Sequence, residues 1–264
     1  MRIARFAVPS EQGGDVRFGV VEGPGEDPAD LVVTPIDGHP FAPFSLVGEP
    51  LPLASVRLLA PVLPSKVVCI GKNYADHVKE MGLSAPEDPV VFLKPSTSVV
   101  GPGDPIVLPR NSNRVDHEAE LAIVVGRLCR EVPRERALDV ILGYTCGNDV
   151  TARDHQAADK QWTRGKSHDT FCPLGPWIET ELDASDVVVQ ARVDGELKQD
   201  ERTSALIHDI PAIVEWVTAF MTLLPGDVIL TGTPAGVGPL TAGQTVSVTV
   251  GGVGTLANPV VGPR

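Results

Sequence analysis

Glu118 and Glu120 stand on either side of Ala119 in the run His117-Glu118-Ala119-Glu120-Leu121-Ala122-Ile123-Val124-Val125. In an extended chain alternate side chains share a face, so the two carboxylates lie together, roughly 7 Å apart, at one end of a face that continues through Ala122 and Val124. Like charges held that way in an apolar setting require a proton or a cation. An isolated E-x-E more often ends a strand in water, and a third carboxylate is what shifts the reading. Asp149 lies in Tyr144-Thr145-Cys146-Gly147-Asn148-Asp149-Val150-Thr151, where a strand-like run meets the expected start of a helix. There it either caps that helix or completes an all-oxygen set suited to Mg²⁺ or Mn²⁺, with positions left for water and substrate.

Three further groups could act on whatever such a site holds. In His77-Val78-Lys79-Glu80 the first and last side chains are neighbours on a helix, so Glu80 can orient His77 as a general base; a solvated ion pair is the plainer alternative. Gly165-Lys166-Ser167 suggests a phosphate loop, but Lys160 occupies the place of the required first glycine and the preceding segment reads as helix. A nucleotide site is therefore rejected, and Lys166 is left as a cation for a developing enolate or carboxylate. Thr231-Gly232-Thr233-Pro234-Ala235-Gly236-Val237-Gly238 follows a strand and lets backbone N–H groups approach an anion, although a tight turn reads equally well.

The elements that must position these groups are short. The chain has 26 Gly and 25 Pro among 264 residues, which cut it into brief apolar runs and favour an α+β, mainly β architecture. Strands are expected at Arg2–Val8, Val16–Val21, Leu31–Thr34, Lys66–Gly71, Leu121–Val125, Val187–Val193, Val228–Thr231 and Thr245–Val250. Helices are expected at Asn73–Met81, capped by Asn73 and closed by Gly82, and at Arg134–Leu142, Thr151–Gln161 and Ile210–Leu224, the last with the clearest helical spacing. The proline-rich stretch Pro50–Pro64 reads as an extended connector, dividing a small N-terminal β domain (residues 1–62) from a larger catalytic domain (residues 63–264).

Composition narrows the function. The formal net charge is −12 with no basic stripe, so nucleic acid is not an expected partner. Neither a signal peptide nor a continuous apolar span is evident, and a soluble, cytoplasmic protein is expected. Cys69, Cys129, Cys146 and Cys172 form no C-x-x-C pair and are expected to be reduced and buried.

Taken in order, Gly71-Lys72-Asn73-Tyr74-Ala75-Asp76-His77-Val78-Lys79-Glu80, Asp116-His117-Glu118-Ala119-Glu120-Leu121, Asn148-Asp149-Val150-Thr151-Ala152-Arg153-Asp154, Gly165-Lys166-Ser167 and Thr231-Gly232-Thr233-Pro234 resemble the fumarylacetoacetate hydrolase family, over about Pro64 to the C-terminus. The resemblance implies a mixed β-sandwich or roll after a small N-terminal domain, and a homodimer. It implies that Glu118, Glu120 and Asp149 hold Mg²⁺ or Mn²⁺, that His77 and Glu80 activate water on a lid, that Lys166 stabilises an enolate, and that Gln156 and Thr233 touch substrate. Arg153 stands outside that set, and His168 replaces the aromatic or apolar residue usual in the pattern. The implied activity is hydrolysis of the C–C bond of an acylpyruvate. Isomerisation of 2-hydroxyhepta-2,4-diene-1,7-dioate and decarboxylation of oxaloacetate are alternatives, and a non-catalytic binding protein of the same fold is a remote one.

Overall fold

A computed structural model describes residues 1–9, 14–82 and 84–263. Its frame is a large mixed sheet in which the strands run in the order Leu51–Pro52, Val32–Pro35, Asp15–Glu22, Arg2–Val8, Cys172–Glu179, Ile141–Asn148, Ala119–Val125, Val228–Leu230, Val67–Gly71 and Val90–Lys94. A second sheet, ordered Glu196–Arg202, Val188–Val193, Thr245–Val250, Gly254–Val261 and Ile106–Val107, packs on it. Leu121, Ile123, Cys146 and Trp177 from the first sheet meet Val189, Ala191, Val248, Val250 and Leu256 from the second in one apolar core. Each of the Val, Leu and Ile side chains contributes about 1.5–3 kcal/mol when fully buried. The mainly β, α+β fold expected from the sequence is the fold observed.

The N-terminal strands are not a separate layer. Arg2–Val8 pairs with Cys172–Glu179, so the large sheet is continuous across the expected connector. The connector itself is partly structured, because Arg57–Leu59 pairs with Arg2–Val8 and Leu53 is buried. All four cysteines are free and buried, as expected. No helix among the described residues is long and apolar enough to cross a membrane.

Helices fare less well than strands against expectation. The segment Arg134–Val140 is a 3₁₀ helix, and Ile141 already opens the next strand. The expected polar helix Thr151–Gln161 breaks into a strand, Thr151–Ala152, and a short helix, Arg153–Ala158, because Val115 and Asp116 recruit Ala152 and Thr151 into a small sheet. The best helix covers Ile210–Phe220, with the Asp209 side chain accepting a hydrogen bond from Ala212 N. It stops short of Leu224 because Leu223 and Cys129 exchange backbone hydrogen bonds.

One partly buried ion pair fixes the parallel seam between Val67–Gly71 and Val228–Leu230. Asp227 Oδ1 accepts from Ser65 N (3.1 Å) and Ser65 Oγ (2.6 Å), and Oδ2 accepts from Leu224 N (2.8 Å) and pairs with the Lys66 ammonium. These contacts bring the starts of Val67–Gly71 and Val228–Leu230 into register. Burial pushes the Asp227 carboxyl up, but Lys66, Ser65 and Leu224 outweigh it and hold it below the ordinary aspartate range. A depressed folded pKa stabilises the fold above the unfolded value of about 3.9, and that contribution is lost as pH falls through the folded pKa. Asp227→Ala should therefore cost about 3 kcal/mol at neutral pH in urea unfolding, with the gap from wild type narrowing below about pH 4. A gap independent of pH would show that cavity formation, not charge, sets the cost.

Candidate active site

The two strands that carry the acidic motifs run side by side and leave the large sheet together. Ala119 pairs with Asn148 in the large sheet, whereas Asp116 pairs with Thr151 in the small one, so Glu118 and Asp149 occupy the break. Asn148 Oδ1 accepts from Glu118 N (3.0 Å) and Glu118 O accepts from Asp149 N (2.9 Å), which holds the break in shape. Glu120 lies one strand step further on, on the face that continues through Ala122 and Val124 into a second apolar cluster. The alternation read from the sequence is thus present, and it aims Glu120 at the same space as its two neighbours. One carboxylate oxygen from each of Glu118, Glu120 and Asp149 lies within 4.8 Å of the others, and all three residues are buried.

Cations surround this cluster unevenly. Lys166 Nζ donates to Glu118 Oε2 (2.9 Å) and Asp149 Oδ2 (2.6 Å). Lys94, itself fully buried, donates to Asp149 Oδ1 (2.6 Å) and Val150 O (3.1 Å). Arg153 Nη2 lies 2.6 Å from Glu118 Oε1 as a charge contact without an aligned hydrogen bond, while its Nε donates to Asp116 and its Nη1 to Gln156 Oε1. Glu120 has no cationic partner among the described residues and accepts a 2.6 Å hydrogen bond from Gly232 N. Burial pushes the Glu118 carboxyl up, but Lys166 and Arg153 overcome this and hold it far below the usual range. Glu120 goes the other way: burial, then Asp149 and Glu118, push it well above the ordinary value despite the Gly232 amide. An all-oxygen, buried trio with one carboxylate lacking a counter-ion fits a hard divalent cation of the Mg²⁺ or Mn²⁺ class.

The segment that carries His77 lines the same chamber. Its helix, Ala75–Glu80, begins after Tyr74, not at Asn73. Asn73 is no cap: its side chain donates to His208 O (3.0 Å) and Thr231 O (2.8 Å) and accepts from His208 N (2.8 Å), so it pins the hinge to two other segments. Gly82 follows in the left-handed region, as expected of a helix end. His77 is buried, with Nδ1 3.4 Å from Glu80 Oε2. Glu80 also accepts from Gly236 N at 3.2 Å on both oxygens. Gly236 has φ +95°, and a Cβ there would meet Lys198 O at 2.0 Å, so only glycine can present this amide.

His77, Glu118, Glu120, Asp149, Arg153, Gln156, Lys166 and Thr233 line one small inner chamber of about 20 Å³. Glu80 lines instead the adjoining vestibule of about 640 Å³, reached past Lys72, Met81, Arg153, Gln156 and Trp162. The structure thus gathers every candidate residue named from the sequence. It adds some that sequence reasoning missed. Lys94 carries no mark in the sequence, and only its full burial singles it out. Gln199 accepts from Ala119 N (2.9 Å) and donates to Thr233 Oγ1 (2.8 Å), and Thr233 in turn donates to Ala119 O (2.9 Å). No signal in the isolated sequence points to that knot. His168 lies outside the chamber, with Nε2 3.1 Å from His155 Nδ1 and its ring against Phe171.

Comparison with known proteins identifies the family. The sequence pattern described as Fumarylacetoacetate (FAA) hydrolase C-terminal matches residues 66–261, and one described as Rv2993c-like, N-terminal matches residues 1–61. The chain belongs to the fumarylacetoacetate hydrolase family. It is 57% identical to Protein Rv2993c of Mycobacterium tuberculosis over 99% of this chain and 98% of that protein. It is also similar to the crystal structure of 2-hydroxyhepta-2,4-diene-1,7-dioate isomerase from Mycobacterium marinum, with 55% identity and a TM-score of 0.91 over 99% of this chain and 98% of the other. Oxaloacetate tautomerase fahd2, mitochondrial, of Xenopus laevis is 43% identical over 79% of this chain and 69% of its own length.

Lys166 and a divalent ion would compete for the same two carboxylates. Removing the ammonium in Lys166→Met should lower the melting temperature of the metal-free protein and tighten Mn²⁺ binding by roughly tenfold or more, since unit charges at contact interact by several kcal/mol at intermediate dielectric. Weaker Mn²⁺ binding, measured by calorimetry, would show that Lys166 supports the ion and does not compete with it.

Proposed function

We propose that this chain is a divalent-metal-dependent enzyme that moves a proton between carbon and oxygen of a small 2-oxo acid, interconverting its keto and enol forms. The observation that carries the reading is the single enclosed chamber in which His77, steadied by Glu80, faces the three-carboxylate cluster and Lys166. The names of the tautomerase and isomerase relatives support it. A divalent ion held by Glu118, Glu120 and Asp149 would draw electron density from the 2-oxo group and so acidify the protons on the adjacent C3.

The protein's own groups supply the rest. His77 turns Nδ1 towards Glu80, which leaves Nε2 to take the C3 proton. Lys166 is the acid in the chamber that can deliver the matching proton to the 2-oxo oxygen. Arg153, paired with Asp116 and Glu118, holds Gln156, which defines the neighbouring wall. Thr233, locked by Gln199 and Ala119, fixes the opposite wall. In this reading the native ion is Mg²⁺ or Mn²⁺ and the enzyme works as a cytoplasmic homodimer.

Hydrolysis of an acylpyruvate is the second reading, and one feature favours it. Glu80 lines the wide vestibule, from which water can reach the His77–Glu80 pair. Decarboxylation of oxaloacetate needs no such water and no base.

The purified protein should convert enol-oxaloacetate to its keto form in a reaction abolished by EDTA and restored by Mg²⁺ or Mn²⁺. Glu118→Ala should lose metal binding and turnover together, and His77→Ala should lower kcat by about 10²–10⁴. Wild-type rates in Glu118→Ala would end the proposal. Cleavage of acetylpyruvate or fumarylpyruvate with the same dependence on His77 would select hydrolysis, and oxaloacetate decarboxylation that survives His77→Ala would select the decarboxylase.

A further inference from the structure

The cations around the site differ in whether they are already committed. Arg114 forks onto both oxygens of Asp116 (3.0 and 3.2 Å), Arg153 is shared between Asp116 and Glu118, Lys166 between Glu118 and Asp149, and Lys94 is spent on Asp149. Lys72 makes no ion pair or side-chain hydrogen bond among the described residues. Yet it is only half-buried and lines both the inner chamber and the vestibule, at the passage between them.

The backbone holds it there at a cost. Lys72 has φ +60°, the left-handed region that a lysine seldom occupies, between Gly71 and Asn73. Both neighbours are held: Gly71 pairs with Val90 in the large sheet, and Asn73 is pinned to His208 and Thr231. The strand Val67–Gly71 therefore turns into the lid helix through a lysine aimed along the cavity wall.

Volume and charge say what that lysine meets. The inner chamber of about 20 Å³ has room for one small group, so any substrate longer than its 2-oxo acid end must extend into the vestibule of about 640 Å³. Around the two cavities Asp116, Glu118, Glu120 and Asp149 are matched in number by Lys94, Arg114, Arg153 and Lys166, and Glu80, the remaining carboxylate of the vestibule, is bonded to His77 and the Gly236 amide, so the Lys72 ammonium is left without a partner among the described residues.

We propose that Lys72 is a specificity-determining residue that receives the distal carboxylate of a dicarboxylic 2-oxo acid whose other end lies in the inner chamber. The proposal rests on the reading of that chamber as a metal-assisted 2-oxo acid site. It makes the hinge residue of the lid the reader of substrate length and charge, so a dicarboxylate would tie the lid segment to itself through a charged hydrogen bond.

Binding of 2-oxoglutarate, 2-oxopentanoate and oxalate to the Mn²⁺-loaded protein, followed by calorimetry, tests this without turnover. The first two have the same carbon chain and differ at the distal carboxylate, and oxalate is too short to leave the inner chamber. Wild type should bind 2-oxoglutarate roughly tenfold or more tighter than 2-oxopentanoate. Lys72→Met, which keeps the stem, and Lys72→Gly, which relieves the left-handed backbone, should both erase that preference while 2-oxopentanoate and oxalate change less than about threefold. Equal affinities in wild type, a preference that survives in either variant, or an equal loss for all three ligands would overturn the role of Lys72 while oxalate binding by wild type upheld the chamber. Failure of wild type to bind any of the three would bring down the reading of the chamber and this proposal with it.

Discussion

The structure depends on keeping several carboxylates out of water and close to one another. Glu118, Glu120 and Asp149 are all buried, and Asp116 is fully buried beside them. Placing isolated carboxylates in such a setting costs many kcal/mol each, so the surrounding fold is organised around compensation. Lys94 and Lys166 are sunk into the protein at a desolvation cost of their own, and Arg153 bridges two acids. Even so, Glu120 is left with an amide and two like charges, and its raised pKa records the deficit. A divalent ion held by the three carboxylates would relieve that residual imbalance.

Much of this was legible in the sequence because period-two alternation survives folding. Ala119, Leu121, Ile123 and Val125 fall in one apolar cluster while Ala122 and Val124 fall in another, and that division is what turns Glu120 to the inner face. The order of motifs made the family legible as well. What was not legible follows from long-range pairing. Asn73 looks like a helix cap, but its side chain is claimed by His208 and Thr231, residues 135 and 158 positions away. Thr151 and Ala152 have helical surroundings in sequence but are taken by Val115 and Asp116 in the small sheet. Local propensity cannot foresee a competitor that arrives from elsewhere in the chain.

The same reasoning explains why Lys94, Gln199 and Arg153 escaped the candidate set or stood at its margin. A lysine ending a strand, a glutamine in a polar strand and an arginine at a helix start are all ordinary surface residues by composition. Their role is defined by what buries them. Gln199 satisfies Ala119 N and Thr233 at once, and so couples the strand of the carboxylates to the loop that supplies Gly232 and Gly236. Buried polar groups with every bond satisfied rigidify their surroundings, and here that rigidity is spent on the walls of the inner chamber.

A division of labour emerges between rigid and adjustable parts. The carboxylates sit on paired strands, locked through Asn148, Gln199 and Gly232, so their mutual geometry is set by the sheets. His77 sits on a six-residue helix held by few polar contacts, among them Glu80 on the Gly236 amide and the long His77–Glu80 contact. A helix this short has little stability of its own and takes its position from those contacts and from the packing of Val78. Chemistry that varies between proteins of this architecture would therefore be set more readily at the His77 helix and the vestibule than at the carboxylates. A change in the sheet would disturb a charge balance on which the fold itself relies, whereas a change at the His77 helix or the vestibule would leave that balance in place.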